Sequence, residues 1–234
     1  MKTNNKSQKS KVKSQKYHVE FNLDFKKNPY PGKLIAIEGI EASGKTTQAE
    51  IVAEVLKRDH KVFQTKNPTE SFVGDFIRKS LLAGKVRIPP ISLQYLFSAD
   101  REIQQQEIIE RLKKGEWVVT DRYFWSSVAY GAADIDTDYE NFMNLSLTAF
   151  SLLSMYHQFI VPDKTIFLKI SLEDALKRLS GSKKHTEIYD NDEMNRKVKK
   201  GYEWMLAKFP NEFTIVDAEQ DVEKVTEEIL RKIK

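Results

Sequence analysis

Cysteine is absent from all 234 residues. Disulfides are therefore excluded, along with the zinc and thiol chemistries built on Cys. That is compatible with a reducing cytoplasm, where we expect the protein to reside. Histidine is scarce. His18, His60, His157 and His185 are scattered without ligand spacing and read as surface or packing residues. No run of 18 apolar residues occurs, so no membrane span is expected. The longest mostly apolar stretch, Leu145 to Tyr156, is broken by Ser and Thr and reads as a buried or interface helix. Arginine does not occur before Arg58, and no apolar signal core precedes it, so neither a secretory signal nor an Arg-rich transit peptide is expected.

A basic body is missing too, despite a formal charge of +4. Residues 1–33 hold nine Lys and two acids, which leaves 29 basic and 32 acidic residues in the rest. The positive charge thus belongs to the N-terminal segment, and charge gives no ground for nucleic-acid binding by the remainder. Residues 1–17 are rich in Lys, Ser, Gln and Asn and cannot offset their ordering entropy by burial. They are expected to be disordered, as a solubilising extension or a weak polyanion-binding arm. In residues 18–32 the alternation of Phe21, Leu23 and Phe25 suggests a short extra strand, punctuated by Pro29, Pro31 and Gly32. We take 1–32 as a basic extension and 33–234 as a single α/β domain, a length that buries a sizeable core.

What is present is organised around Leu34 to Thr47, LIAIEGIEASGKTT. Gly39, Gly44, Lys45 and Thr46 fit G-x-x-x-x-G-K-T. In such a loop backbone N–H groups cradle phosphate oxygens, the Lys reaches the β- and γ-phosphates, and the hydroxyl ligates Mg²⁺. The apolar run Leu34–Ile37 reads as a buried parallel strand, and Ala49, Val52, Ala53 and Leu56 repeat at helical spacing. Strand, glycine loop and helix in that order support nucleoside-triphosphate binding, with the helix N-terminus adding its positive dipole end.

Further strands are expected at 61–65, 117–120, 164–170 and 213–216. Helices are expected at 72–82, 91–114, 138–156, 172–180, 190–208 and 221–233. Alternation of this kind predicts a parallel sheet covered on both faces. Asp121 ends an apolar strand, where phosphate-loop enzymes place a carboxylate that holds Mg²⁺. Arg122 follows it, and Arg101 lies one helical turn from Phe97. Both arginines could offer planar donors to a second phosphate or a base edge.

Four segments, IAIEGIEASGKTT, LFSADRE, TDRYFWSSVAY and PDKTIFLKI, resemble thymidylate kinases of the nucleoside monophosphate kinase group, over about residues 33–234. The resemblance implies a three-layer P-loop kinase fold with a five-stranded parallel sheet and a lid at about 180–190. It also implies a homodimer and phosphorylation of dTMP to dTDP with ATP and Mg²⁺, toward dTTP. Gly39, Ile40, Glu41, Ala42, Ser43, Gly44, Lys45, Thr46, Thr47 and Arg178 would hold ATP, with Thr46 and Asp121 on the metal. Phe97 would stack on thymine, Arg101 would bond the base, and Arg122 would grip the acceptor phosphate. Tyr130 would exclude a 2′-hydroxyl, Glu41 would sit near the 3′-hydroxyl, and Ser126 and Phe76 would complete the acceptor site. Ala42 stands where some members carry a basic residue, so the lid's Lys183 and Lys184 would supply catalytic charge. Lys66-Asn67-Pro68-Thr69-Glu70 and Gly131 depart from common family patterns. A deoxynucleoside kinase using Glu38 or Asp121 as base is the nearest alternative, and a non-catalytic nucleotide-binding regulator the next.

Overall fold

The computed structural model describes residues 25–134, 142–181 and 192–233. Its centre is a sheet of five parallel strands: β1 (Leu34–Glu38), β2 (Val62–Lys66), β3 (Trp117–Asp121), β4 (Lys164–Lys169) and β5 (Phe213–Asp217), in the spatial order β2-β3-β1-β4-β5. β1 is buried along its whole length, as a central strand covered on both faces must be. The edge strand β2 is only half-buried. The registers put Ile37 opposite Asp121 and Glu38 opposite Phe167, so the C-terminal ends of the three middle strands lie side by side.

Helices connect the strands: α1 (Lys45–Leu56), α2 (Phe72–Phe76), α3 (Pro90–Lys113), α4 (Phe124–Asp134), α5 (Phe142–Ser154), α6 (Leu172–Ser180), α7 (Asp192–Lys208) and α8 (Val222–Ile233). All five expected strands form. Two helical regions differ from expectation. The segment expected as one helix over 72–82 is a short α2 running into a turn of π-helix, Ile77–Leu82. The other difference is α4, which the sequence pattern does not announce. Its residues Phe124 to Ala133 are buried without exception, so it has no polar face to produce a helical period.

α4 is the buried pillar of the site's side of the sheet. Tyr123, Phe124 and Trp125 form an aromatic cluster with Tyr156, Phe159 and Phe213, ring centroids 4.7–6.4 Å apart. α7 crosses α4 at Gly201, where an added Cβ would lie 3.0 Å from the Ala129 Cα and 3.1 Å from its carbonyl oxygen. The segment just before β1 also belongs to this packing. Phe25 stacks among Phe124, Trp125 and Phe209, and Lys26 forms a single parallel bridge with Ile160. The domain therefore starts at least at Phe25, eight residues before the boundary read from composition. Phe21, Leu23 and the basic residues 1–17 lie outside the described residues.

The α4–α7 contact leads to a stability prediction. Gly201→Val forces two branches into a backbone-to-backbone contact and should cost about 1–3 kcal/mol. Urea unfolding measures it; an unchanged midpoint would show that the two helices are not pressed together there.

Candidate active site

The turn after β1 is shaped by two glycines. Gly39 has φ +155, and a Cβ there would meet Ser43 Oγ at 2.6 Å. Gly44, the N-cap of α1, has φ +91, a region that L side chains rarely adopt. No side chain caps α1, so its first-turn N–H groups are left for an anion. Lys45 is buried and donates from Nζ to the Ile40 carbonyl at 2.6 Å, which holds it over the loop. Burial, reinforced by Arg122, lowers the Lys45 pKa to about 8, against the pull of Glu41, Asp121 and Glu38.

Asp121 ends β3, and the β1–β3 register brings it to the start of α1. Thr46 Oγ1 donates to Asp121 Oδ2 at 2.5 Å. Asp121 Oδ1 is buried with no hydrogen-bond partner among the described residues. A hydroxyl beside a carboxylate with an unsatisfied oxygen is a hard-oxygen donor set of the kind that suits Mg²⁺ when phosphates and water complete the shell. Among the described residues no group of three or more His, Cys, Asp or Glu could form a protein-only metal cage.

Arg122 comes next, in the left-handed region at φ 69. This conformation is uncommon for a residue with a side chain and recurs at functional sites. Two bonds hold the turn: Arg122 N–H donates to the Ile37 carbonyl at 3.0 Å, and Thr120 Oγ1 donates to the Arg122 carbonyl at 2.8 Å. The guanidinium pairs with Glu41 and lies 4.8 Å from the Tyr130 ring centroid. The Tyr130 hydroxyl donates to the same Glu41 oxygen at 3.2 Å. Partial burial alone would raise the Glu41 pKa, but the Lys45 and Arg122 charges hold it at about 2.

A cleft of about 210 Å³ joins these groups, lined by Glu41, Lys45, Thr46, Asp121, Arg122, Ser126 and Tyr130 at one end and by Phe97, Arg101 and Gln94 at the other. Arg101 is buried; its Nε donates to the Tyr123 carbonyl at 3.2 Å and its Cζ lies 5.5 Å from the Phe97 ring centroid. On the other side of the loop, a cleft of about 830 Å³ is lined by residues 41–48 together with Arg178, Ala218 and Val222. Arg178 is anchored there by a 2.8 Å bond to the Ala218 carbonyl. Phe76 does not line the acceptor-side cleft; it sits at the end of α2, 38% exposed, and Pro68 and Leu82 supply apolar wall instead. Lys183 and Lys184, with most of the segment read as a lid, lie outside the described residues.

Glu38 has a different role from the base considered for it. It is fully buried. Oε1 accepts from the N–H groups of Tyr123 (2.8 Å) and Ser126 (3.3 Å), and Oε2 accepts from Ser126 Oγ (2.6 Å) and the Tyr202 hydroxyl (2.7 Å). Burial raises its pKa while these bonds oppose the rise. It clamps the end of β1 to the start of α4 and to α7, and it is not among the residues lining the cleft.

Sequence reasoning missed the residues that shape the segment after β2. Asp100 is fully buried on α3. Its Oδ1 accepts from Thr69 Oγ1 (2.5 Å) and Ser71 Oγ (2.9 Å), and its Oδ2 accepts from Thr69 N–H (2.8 Å) and Asn67 Nδ2 (3.4 Å). Arg78 donates to the Pro68 carbonyl at 2.7 Å and lines the cleft. The only hint in the sequence is that Asp100 adjoins Arg101 in LFSADRE. Asp100→Ala should leave several buried donors without an acceptor and cost about 2–4 kcal/mol, read by chemical denaturation. A loss below half a kcal/mol would mean the loop is held by something else.

Comparison with known proteins identifies the family. A family model described as thymidylate kinase matches residues 37–229. A probable thymidylate kinase of Methanocaldococcus jannaschii is 36% identical over 201 residues, covering 86% of this chain and 95% of its own. One from Thermococcus onnurineus is 33% identical over 206 residues, covering 84% and 94%. The solved structure of the Candida albicans thymidylate kinase superposes with a TM-score of 0.71 at 27% identity, covering 86% of this chain and 91% of that one. The match runs from the end of β1 into α8 and so takes in the phosphate loop, the Asp121-Arg122 turn and the cleft between them: the chain belongs to the thymidylate kinase family.

Proposed function

We infer that the protein transfers the γ-phosphoryl group of ATP to dTMP, giving dTDP and ADP. One observation carries this reading. Lys45 and Arg122 line a single cleft whose far end holds an aromatic ring, Phe97, with an arginine beside it. That is a place for two phosphates at one end and a base at the other.

The reaction class follows from the charge of the acceptor. A monophosphate has its second pKa near 6 and is largely dianionic at neutral pH. No general base is needed to make it a nucleophile. The protein's task is to align two polyanions and offset the charge that builds between them. Lys45 and the first-turn N–H groups of α1 grip the donor phosphates. Arg122 offers a planar fork to the acceptor phosphate, and Glu41 and Tyr130 hold that fork in place. Thr46 and Asp121 are the residues that would hold Mg²⁺, which would supply positive charge to offset that of the donor phosphates. Arg178 and the Ala218–Val222 turn form the wall against which the donor's base would rest. The lid lysines Lys183 and Lys184 are proposed to add the charge that Ala42 lacks. Tyr130 is proposed to crowd C2′ of the sugar and disfavour ribonucleotides.

A nucleoside hydroxyl acceptor would need a carboxylate base. Glu38 has both oxygens engaged by four donors, which argues against it as that base. A homodimer is proposed to form over the outward stripe of α3, where Ile91, Tyr95 and Ile103 are exposed. Among the described residues no helix is long and apolar enough to cross a membrane. A cytoplasmic setting and a weak polyanion-binding role for the basic N-terminal arm belong to the same proposal.

Two outcomes are expected. With Mg-ATP, dTMP should be phosphorylated and thymidine should not; the reverse preference would replace this reading with a nucleoside kinase. Lys45→Ala should lower kcat by about 10²–10³-fold, the usual cost of losing a preorganised charge on the transition state, with an unchanged circular dichroism spectrum. A kcat within threefold of the parent would remove Lys45 from the mechanism.

A further inference from the structure

The base-binding end of the cleft contains a side chain that neither sequence nor family resemblance singled out. Gln94 lies on α3 one turn before Phe97 and two turns before Arg101, and all three line the cleft. It is fully buried. Its two amide atoms have different fates. Nε2 donates to Asp134 Oδ2 at the end of α4, at 2.7 Å. Oε1 is buried without a hydrogen-bond partner among the described residues. A buried amide oxygen left unpaired is costly, and native structures keep such groups where a ligand or water completes them. The assignment of the two atoms is not free, because a carboxylate accepts and only the amide nitrogen donates. Asp134 therefore turns the carbonyl of Gln94 away from itself.

Gly131 makes room for this arrangement. A Cβ at that position would lie 3.0 Å from both Cδ and Oε1 of Gln94 and 2.8 Å from Leu152 Cδ1. A side chain on α4 at 131 would thus push Gln94 out of its place. The glycine and the glutamine are one feature: the space vacated on α4 is filled from α3.

We propose that Gln94 is a specificity-determining residue, whose Oε1 accepts the N3–H of the acceptor's base and so selects pyrimidines that carry a proton at N3. The proposal rests on the dTMP reading above. With a base stacked on Phe97, Arg101 supplies donors and Gln94 an acceptor. A thymine or uracil edge offers the complement, a carbonyl next to an N–H. A cytosine edge reverses it, with an amino group next to a bare N3. Sites built to hydrogen-bond a polar edge reject analogues that leave the site's groups unpaired.

The test compares dTMP with 5-methyl-dCMP, which keeps the methyl group and sugar phosphate and reverses the edge. For the parent protein kcat/KM for dTMP should exceed that for 5-methyl-dCMP by about 100-fold or more, within the range seen when a polar edge is read by hydrogen bonds. Gln94→Leu, close in shape but without the acceptor, should lower kcat/KM for dTMP about tenfold, mostly through KM. It should leave 5-methyl-dCMP within about threefold, so the selectivity ratio falls about tenfold while the part due to Arg101 remains. A merely structural Gln94 would lower both substrates alike and leave the ratio unchanged, which would overturn the proposal. If Gln94→Leu does not fold, the parent's dissociation constants decide: values for the two nucleotides within threefold of each other would also overturn it. Should the parent not phosphorylate dTMP at all, the reading of the reaction fails instead, and that result is distinct from an unchanged ratio.

Discussion

The parallel pairing of β1 with β3 is the constraint from which the site is built. With Ile37 opposite Asp121, the loop that follows β1 and the turn that follows β3 emerge side by side. Thr46 then meets Asp121, and Glu41 meets Arg122, without any long-range adjustment of side chains. The order β2-β3-β1-β4-β5 sets these two strands at the middle of the sheet. Ligands of open parallel sheets bind at the carboxyl ends of the strands, where connections leave in opposite directions. A one-residue slip between β1 and β3 would reverse which side chains face the helices and would separate the two halves of the site.

The same edge concentrates charge of both signs. Lys45, buried, and Arg122, largely buried, sit beside Glu41 and Asp121. Burial lowers Lys45 toward about 8, while Lys45 and Arg122 together keep Glu41 near 2. Each charge is tolerated because an opposite one is close. Polyanions entering the cleft meet groups already desolvated and oriented, which is where preorganised catalysis gains over water. Glu38 performs the complementary structural duty. Four hydrogen bonds tie the end of β1 to the start of α4 and to α7, beneath Arg122.

Much of this was legible in the chain itself, for local reasons. Strand, loop and helix around Gly39 and Gly44 are set by neighbours within a few residues, and so is the Asp121-Arg122 turn after an apolar strand. The alternation of strands and helices identified the sheet. α4 was not legible because a helix buried on all sides has no amphipathic signature. Asp100 and Gln94 were not legible because their partners are remote in sequence: Asp100 holds Thr69, 31 residues away, and Gln94 holds Asp134, 40 residues away. The family resemblance implies Phe76 as part of the acceptor site, but Pro68 and Leu82 line the cleft there and Phe76 does not. Composition gives no sign that Phe25 belongs to the core, because its ring packs among Phe124, Trp125 and Phe209, all remote in sequence.

The central claim is that two nucleotides lie end to end, one in each of the clefts that flank the phosphate loop, with their phosphates meeting between Lys45 and Arg122. A crystal structure of the protein with dTMP, Mg²⁺ and a non-hydrolysable ATP analogue tests it most directly. The account predicts the acceptor phosphate within hydrogen-bond distance of the Arg122 guanidinium, facing a γ-phosphate held by the Gly44–Thr46 turn. An acceptor bound elsewhere, with Arg122 still paired to Glu41 and turned from both phosphates, would contradict it.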